Sequence, residues 1–235
     1  MTEVVLVEKH EGYGELVLNR PGQRNSLTGP LVDGLIGGLQ QLQSDKSIRA
    51  VIIRGAEGYF CAGLDVKAFF SEPKPDWVTG FGERWLDFHE AIFECPLPVI
   101  GALQGYAIAG GSALALACDF LVVGEKAFLH VSEVERGMAA PINLAWLQLN
   151  HGRKMAMELA VLGERLYGQK LLQKGIANMC VADDQVLEVS RTMAARFAGF
   201  EAGAVATLKA GIKSSTLASG VDFRALVAQI KQAGT

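Results

Sequence analysis

The chain has 235 residues, half of them hydrophobic, and a formal net charge of −3. That length can bury a sizeable core, and the composition excludes a disordered protein. The slight negative charge argues against a general nucleic-acid binder, although it leaves room for an anionic ligand held by a few local groups.

The opening residues, MTEVVLVEKHEG, have no basic segment ahead of an apolar core, so no signal peptide is expected. Short Val- and Ile-rich runs then alternate with helical patterns. Strands are expected at Glu15–Asn19, Ala50–Gly55, Pro98–Gly105, Asp119–Glu125 and Ala177–Asp183. A helix should start near Thr28 as N-cap, with Pro30 in its first turn and Leu31, Leu35, Leu39 and Leu42 along one face. Further helices are expected over Asp76–Glu94, Arg153–Leu162 and Gln185–Phe197, with a surface loop at Ser71–Trp77. Trp77, Phe81, Trp85 and Phe88 form an aromatic stripe at helical spacing, which reads first as core packing. The alternation implies an α/β fold with crossover helices. From Gln185 onward the strand signals vanish, which predicts a helical C-terminal region.

The longest apolar run, Ala113–Cys118, is far too short to span a bilayer, so no membrane association is expected. Cys61, Cys95, Cys118 and Cys180 lie far apart without CxxC spacing. They read as reduced thiols of a cytoplasmic protein, and no metal site is indicated. None of the four histidines carries a pairing signal, and His130 reads as structural.

The segment GYAIAGGSALALACD, Gly105 to Asp119, is one residue away from a phosphate-binding P-loop. Gly111 stands where that loop needs its lysine, so a nucleotide site is rejected. Ser112 is no nucleophile elbow either, because Leu114 occupies the position of the second glycine. What remains is a strand–glycine–helix corner that exposes backbone N–H groups at a positive helix terminus. A second corner, YFCAGLDVK (Tyr59–Lys67), also follows a strand. Two such corners facing one oxygen would form an oxyanion hole.

LNRPGQRNSL (Leu18–Leu27), FCAGLDVK, PLPVIGALQGYAIAGGSALALACD and SEVERGMAAP occur in this order. Together they resemble the enoyl-CoA hydratase/isomerase family, or crotonase superfamily, over nearly the whole chain to about residue 190. The resemblance implies a β/α spiral core over residues 1–190 with the acyl-CoA site, and a helical region over 191–235 that makes oligomer contacts in a homotrimer or dimer of trimers. It implies that the amides of Leu64 and Gly110 polarise a thioester carbonyl. It also implies that the adenine end of coenzyme A, part of the substrate rather than a separate cofactor, lies along Ala62–Lys67 and the NRP loop. Ala62 and Asp65 then border the ligand, and Arg24 and Lys67 are candidate phosphate partners.

Hydratases of the family place one Glu three residues past the oxyanion glycine and a second some twenty residues later. Here the first position is Ala113, while the second is Glu133, favoured over Glu135 by its spacing to Gly137. One carboxylate can shuttle a proton between two carbons. Hydration asks two groups to share the work. The segments AGLD and RGMAAP also look like those of 3,2-trans-enoyl-CoA isomerases. The reading is therefore an enoyl-CoA isomerase, with an atypical hydratase or a non-catalytic acyl-CoA binder as alternatives.

Overall fold

The computed structural model describes residues 3–201, 203–216 and 222–233. The rest of the expected C-terminal region, residues 202, 217–221 and 234–235, lies outside the described residues.

Strand β1 (Val5–Lys9) turns back through Gly12, whose φ of 82° suits a residue without Cβ, and pairs antiparallel with β2 (Tyr13–Leu18). Strands β3 (Ala50–Gly55), β4 (Val99–Leu103), β6 (Phe120–Gly124) and β9 (Met179–Val181) extend the sheet in parallel, in the order β1-β2-β3-β4-β6-β9. The central strands AVIIRG and VIGAL are almost continuously apolar because both faces of a parallel sheet are covered.

Alternate residues of β3 face opposite ways, as strand geometry requires. Ala50 and Ile52 join Ile100, Ala102 and Val122 under helix α7 (Val186–Ala198), which contributes Val186 and Ala194. Val51 and Ile53 face the larger core with the leucines of α1 (Gly29–Ser44) and residues of α3 (Phe81–Glu94). Leu31, Leu35, Leu39 and Leu42 are all fully buried, so the apolar stripe read from the sequence is the docking face of α1. Each such leucine contributes about 1.5–3 kcal/mol by burial.

A smaller sheet holds β5 (Tyr106–Ile108), β7 (Phe128–His130) and β8 (Leu166–Tyr167), in the order β5-β7-β8. Its strands run two or three residues each and were not anticipated from the sequence. Helices α2 (Val66–Phe69), α4 (Gly110–Leu116), α5 (Pro141–Leu162) and α6 (Gly168–Gln173) follow their strands or corners. Helices α8 (Ala204–Thr216) and α9 (Phe223–Ala233) close the described chain.

One expected boundary is corrected. The helix expected over Asp76–Glu94 is a short 3-10 turn at Asp76–Val78 and then α3, separated by Gly80 at φ 78°. The helix expected over Arg153–Leu162 is present, and Gly152, with φ 77° and ψ 172°, separates it from a helical stretch starting at Pro141 that had no counterpart in the expectation. Among the described residues, no helix is long and apolar enough to cross a membrane.

Candidate active site

The two glycine corners lie side by side. Leu27 bridges Leu64, and Cys61 bridges Ala107. The bonds Cys61 N–H to Tyr106 O (3.0 Å) and Ile108 N–H to Cys61 O (3.1 Å) stitch the corners together, and Leu27 N–H to Gly63 O (2.7 Å) ties the Leu18–Leu27 segment to the Tyr59–Lys67 corner. A Cβ on Gly63, at φ 83°, would lie 2.7 Å from the Ile108 carbonyl oxygen and 3.5 Å from Gly110 N. Gly63 is therefore glycine for conformation and for space together.

Among the described residues, neither the Leu64 nor the Gly110 amide donates a hydrogen bond. Gly110 opens α4, where an N–H has no partner inside the helix. Ala109 before it holds φ 50° and ψ −113°, a backbone region that costs a non-glycine residue about 1–3 kcal/mol. The strain is held from both sides: Ala109 N–H donates to His130 O at 2.9 Å, and Ala109 O accepts from Ala113 N–H at 3.1 Å. Leu27 and Trp85 are the apolar neighbours of Gly110, at 2.7 Å and 3.9 Å from where a Cβ would stand. Charge developing beside such walls is little screened.

Glu133 begins a short 3-10 turn that ends at Gly137 (φ 65°). Its Oε1 accepts from Asn143 Nδ2 at 2.8 Å, whereas Oε2 is enclosed and has no partner. Burial raises the pKa of this carboxyl above its usual 4.5, against the opposing pull of its own amide, Asn143, His130 and Arg136. A buried oxygen with its lone pairs unspent costs about 1–3 kcal/mol, so this one asks for an explanation. Glu135 is exposed and faces His130 at 3.2 Å, which leaves Glu133 as the inward carboxylate. Ala113 is buried in α4.

Asn143, on the first turn of α5 and almost fully buried, had no signal in the sequence. An Asn in a helix start reads as surface until the fold brings the turn beneath it. Besides Glu133 it touches Ala109 O at 3.2 Å and Ser112 Oγ at 3.1 Å. It thereby links the carboxylate to the Gly110 corner.

The residues expected along the ligand backbone fall into two groups. Ala62 N–H donates to Arg24 O at 3.1 Å, so the NRP loop and the Tyr59–Lys67 corner are adjacent. Arg24 and Lys67 are exposed, Arg24 with its guanidinium 6.0 Å from the centre of the Tyr59 ring. Asp65 is otherwise engaged. Its Oδ2 accepts from Arg20 Nη2 at 2.9 Å and its Oδ1 caps α2 through Ala68 N–H at 3.1 Å. Of the aromatic stripe, Trp85 and Phe88 are buried, while Trp77 belongs to the separate 3-10 turn, with Phe69 and Phe81 as ring neighbours. A cavity of about 960 Å³ between α5, α7 and α8 contains none of the groups above.

A profile of the family described as Enoyl-CoA hydratase/isomerase matches residues 8–233. A probable enoyl-CoA hydratase of Rhizobium meliloti (strain 1021) is 30% identical over 225 residues, covering 94% of this chain and 86% of that protein. Among solved structures, an enoyl-CoA hydratase of Mycobacterium smegmatis aligns with a TM-score of 0.84 at 28% identity, over 99% of this chain and 91% of that one. A monofunctional enoyl CoA isomerase from M. smegmatis aligns with a TM-score of 0.79 at 28% identity, over 94% of this chain and 98% of that one. The fold is that of the crotonase-type α/β proteins. The chain belongs to the enoyl-CoA hydratase/isomerase family, and is an acyl-CoA-processing enzyme of that family.

Proposed function

We propose that the enzyme moves a double bond of an acyl-CoA thioester from the 3 to the 2 position. The thioester oxygen lies between the Leu64 and Gly110 amides. Glu133 Oε2 takes a proton from C2, the C2–H pair delocalises into a dienolate whose oxygen charge the two amides hold, and the same oxygen returns the proton at C4. One bond to hydrogen breaks, one forms, and nothing else is consumed. Each amide contributes about 3–4 kcal/mol to the barrier reduction. The adenine end of coenzyme A runs along Ala62 and Asp65, with Arg24 and Lys67 near its phosphates.

The observation that carries this reading is the lone enclosed oxygen of Glu133, together with a buried methyl group at Ala113, the position where the family's hydratases place a second Glu. Hydration needs a second group to hold and activate water. Asn143 is the nearest polar side chain, and both its amide hydrogens and its oxygen already face protein partners. Hydration is nevertheless the second reading, because relatives such as the Rhizobium protein are named as hydratases.

The test gives purified enzyme trans-3-hexenoyl-CoA and, separately, trans-2-hexenoyl-CoA. Double-bond migration, with deuterium entering from heavy water, is expected in the wild type and is lost in Glu133→Gln. Water addition to the 2-enoyl ester without migration would replace this reading by the hydratase one. Binding of either ester with no reaction would leave a binder.

A further inference from the structure

We propose that Asn143 is a positioning residue: its single carboxamide orients the Glu133 carboxylate and braces the peptide that presents the Gly110 amide. The proposal rests on the reading of Glu133 as the proton carrier, and it adds a residue that no motif pointed to.

Three contacts use all of this side chain's capacity. An Asn carboxamide offers two N–H donors and one acceptor oxygen. Nδ2 lies 2.8 Å from Glu133 Oε1 and 3.2 Å from Ala109 O, and both are acceptors. Oδ1 lies 3.1 Å from Ser112 Oγ. Chemistry fixes the orientation of the amide, because the flipped form would set its oxygen against a carboxylate and a carbonyl. Ser112 holds one hydroxyl proton between Asn143 Oδ1 and Ala109 O, the latter at 2.6 Å.

The grip on Ala109 reaches the oxyanion donor through covalent geometry. The Ala109 carbonyl and the Gly110 N–H belong to one planar trans peptide, so they point in opposite directions and cannot turn independently. Ala109 O accepts from Ala113 N–H, Ser112 Oγ and Asn143 Nδ2. Fixing that oxygen fixes the aim of the Gly110 N–H. The carboxylate is treated likewise: with Oε1 held by Asn143, only Oε2 is free to carry a proton. Base and electrophile are thus referred to one buried amide, which limits the relative drift that lowers the rate of an oriented reaction.

The test compares the wild type with Asn143→Leu, similar in size but without polar atoms, which decides the matter, and Asn143→Asp, isosteric but placing a second carboxyl beside Glu133 whose like charge raises the Glu133 ionisation by itself. Two quantities are followed: isomerisation of trans-3-hexenoyl-CoA against pH, and the ionisation of Glu133 itself by its infrared carboxyl band, assigned by its loss in Glu133→Gln. Removing the donor withdraws support from the charged carboxylate. The Glu133 amide, His130 and Arg136, the other polar groups acting on the carboxyl, are unchanged. The ionisation and the acid limb of the rate profile should therefore both move to higher pH. In both variants kcat should fall roughly ten- to a hundredfold with KM little changed, the scale of a lost charge-assisted hydrogen bond. Ser112→Ala should move both readouts the same way by less, and reports on the network if the Asn143 variants do not fold. An unmoved Glu133 ionisation and an unmoved limb would overturn the proposal, whatever the rate. A wild type without isomerase activity, but with an ionisation that moves on substitution, would instead strike at the reaction assigned and leave the grip of Asn143 in place.

Discussion

A carboxyl group that must both take and return a proton works best when neither form is held too firmly. Burial gives Glu133 that character by raising its pKa, while Asn143 and its own amide keep the ionised form within reach. The sign of the pH dependence follows. The base is active only when ionised, so kcat/KM should climb with pH through an ionisation lying above the ordinary 4.5, and Glu133→Gln should lack that limb. A limb at or below 4.5 in the wild type would remove Glu133 from the role. Glu133 was legible because its spacing to Gly137 could be read along a line of sequence. Asn143 was not, since its meaning arises only when α5 lies over the turn at Ala109. Asp65 illustrates the opposite: the resemblance runs the ligand along its backbone, and nothing in the sequence tells that Arg20 and the α2 terminus take up its side chain. Sequence shows that a carboxylate is present but not which neighbour reaches it first.

At the scale of elements, the strand–helix alternation was legible because parallel strands buried on both faces are nearly pure Val, Ile, Ala and Leu. The leucine face of α1 was readable from its helical period, kept from Leu31 to Leu42 over about three turns. The short strands β5, β7 and β8 carry too few residues to show any period, and they hold the Gly110 corner in place through pairing that is entirely long-range. Gly80 splitting the expected Asp76–Glu94 helix was missed because one glycine inside a helical pattern is often tolerated. The close approach of the corners makes Gly63 the most informative position of this class. In Gly63→Ala the new methyl group would meet the Ile108 carbonyl in a backbone conformation that already disfavours it. We expect a loss of about 1–3 kcal/mol in stability by chemical denaturation, together with a larger relative loss of kcat/KM as the two amides separate. Wild-type activity in a stable Gly63→Ala enzyme would mean that the spacing of the corners is not what sets the rate.

Across the whole molecule, the C-terminal helices return to the wall behind the site. Arg224 of α9 reaches Asp87 at 2.6 Å and Glu90 at 2.9 Å on α3, and Lys209 of α8 reaches Asp119 at 2.6 Å. Phe223 enters a ring cluster with Trp146, Phe93 and His89. His89 is fully buried there: Trp146 Nε1 donates to its Nδ1 at 2.9 Å, and its Nε2 has no partner. Its ring neighbours among the described residues are Trp85, Phe88, Trp146 and Phe223, and burial lowers its pKa from 6.5 to about 3. The linkage has a definite sign. Below 6.5 the unfolded chain binds a proton that the native state refuses until about 3, so stability should fall as the pH is lowered through that window. One such histidine contributes a slope of up to about 1.4 kcal/mol per pH unit. His151, whose pKa burial also lowers, adds in the same direction. Glu15 is separable: burial opposes its charge, Arg191 and Arg54 outweigh that and lower its pKa, so its contribution is lost only below its ordinary 4.5. Between pH 6.5 and 4.5 Glu133, whose raised pKa lets the native state take up its proton first, acts in the opposite direction, but equally in the wild type and in His89→Leu, so the difference between their slopes in denaturant unfolding isolates His89. His89→Leu should be less stable than the wild type at neutral pH, since Trp146 loses its acceptor, yet its stability should decline less steeply on acidification. Equal slopes in the two proteins would mean that His89 takes up its proton in the native state, and that the aromatic cluster under α9 opens to water far more readily than its packing implies.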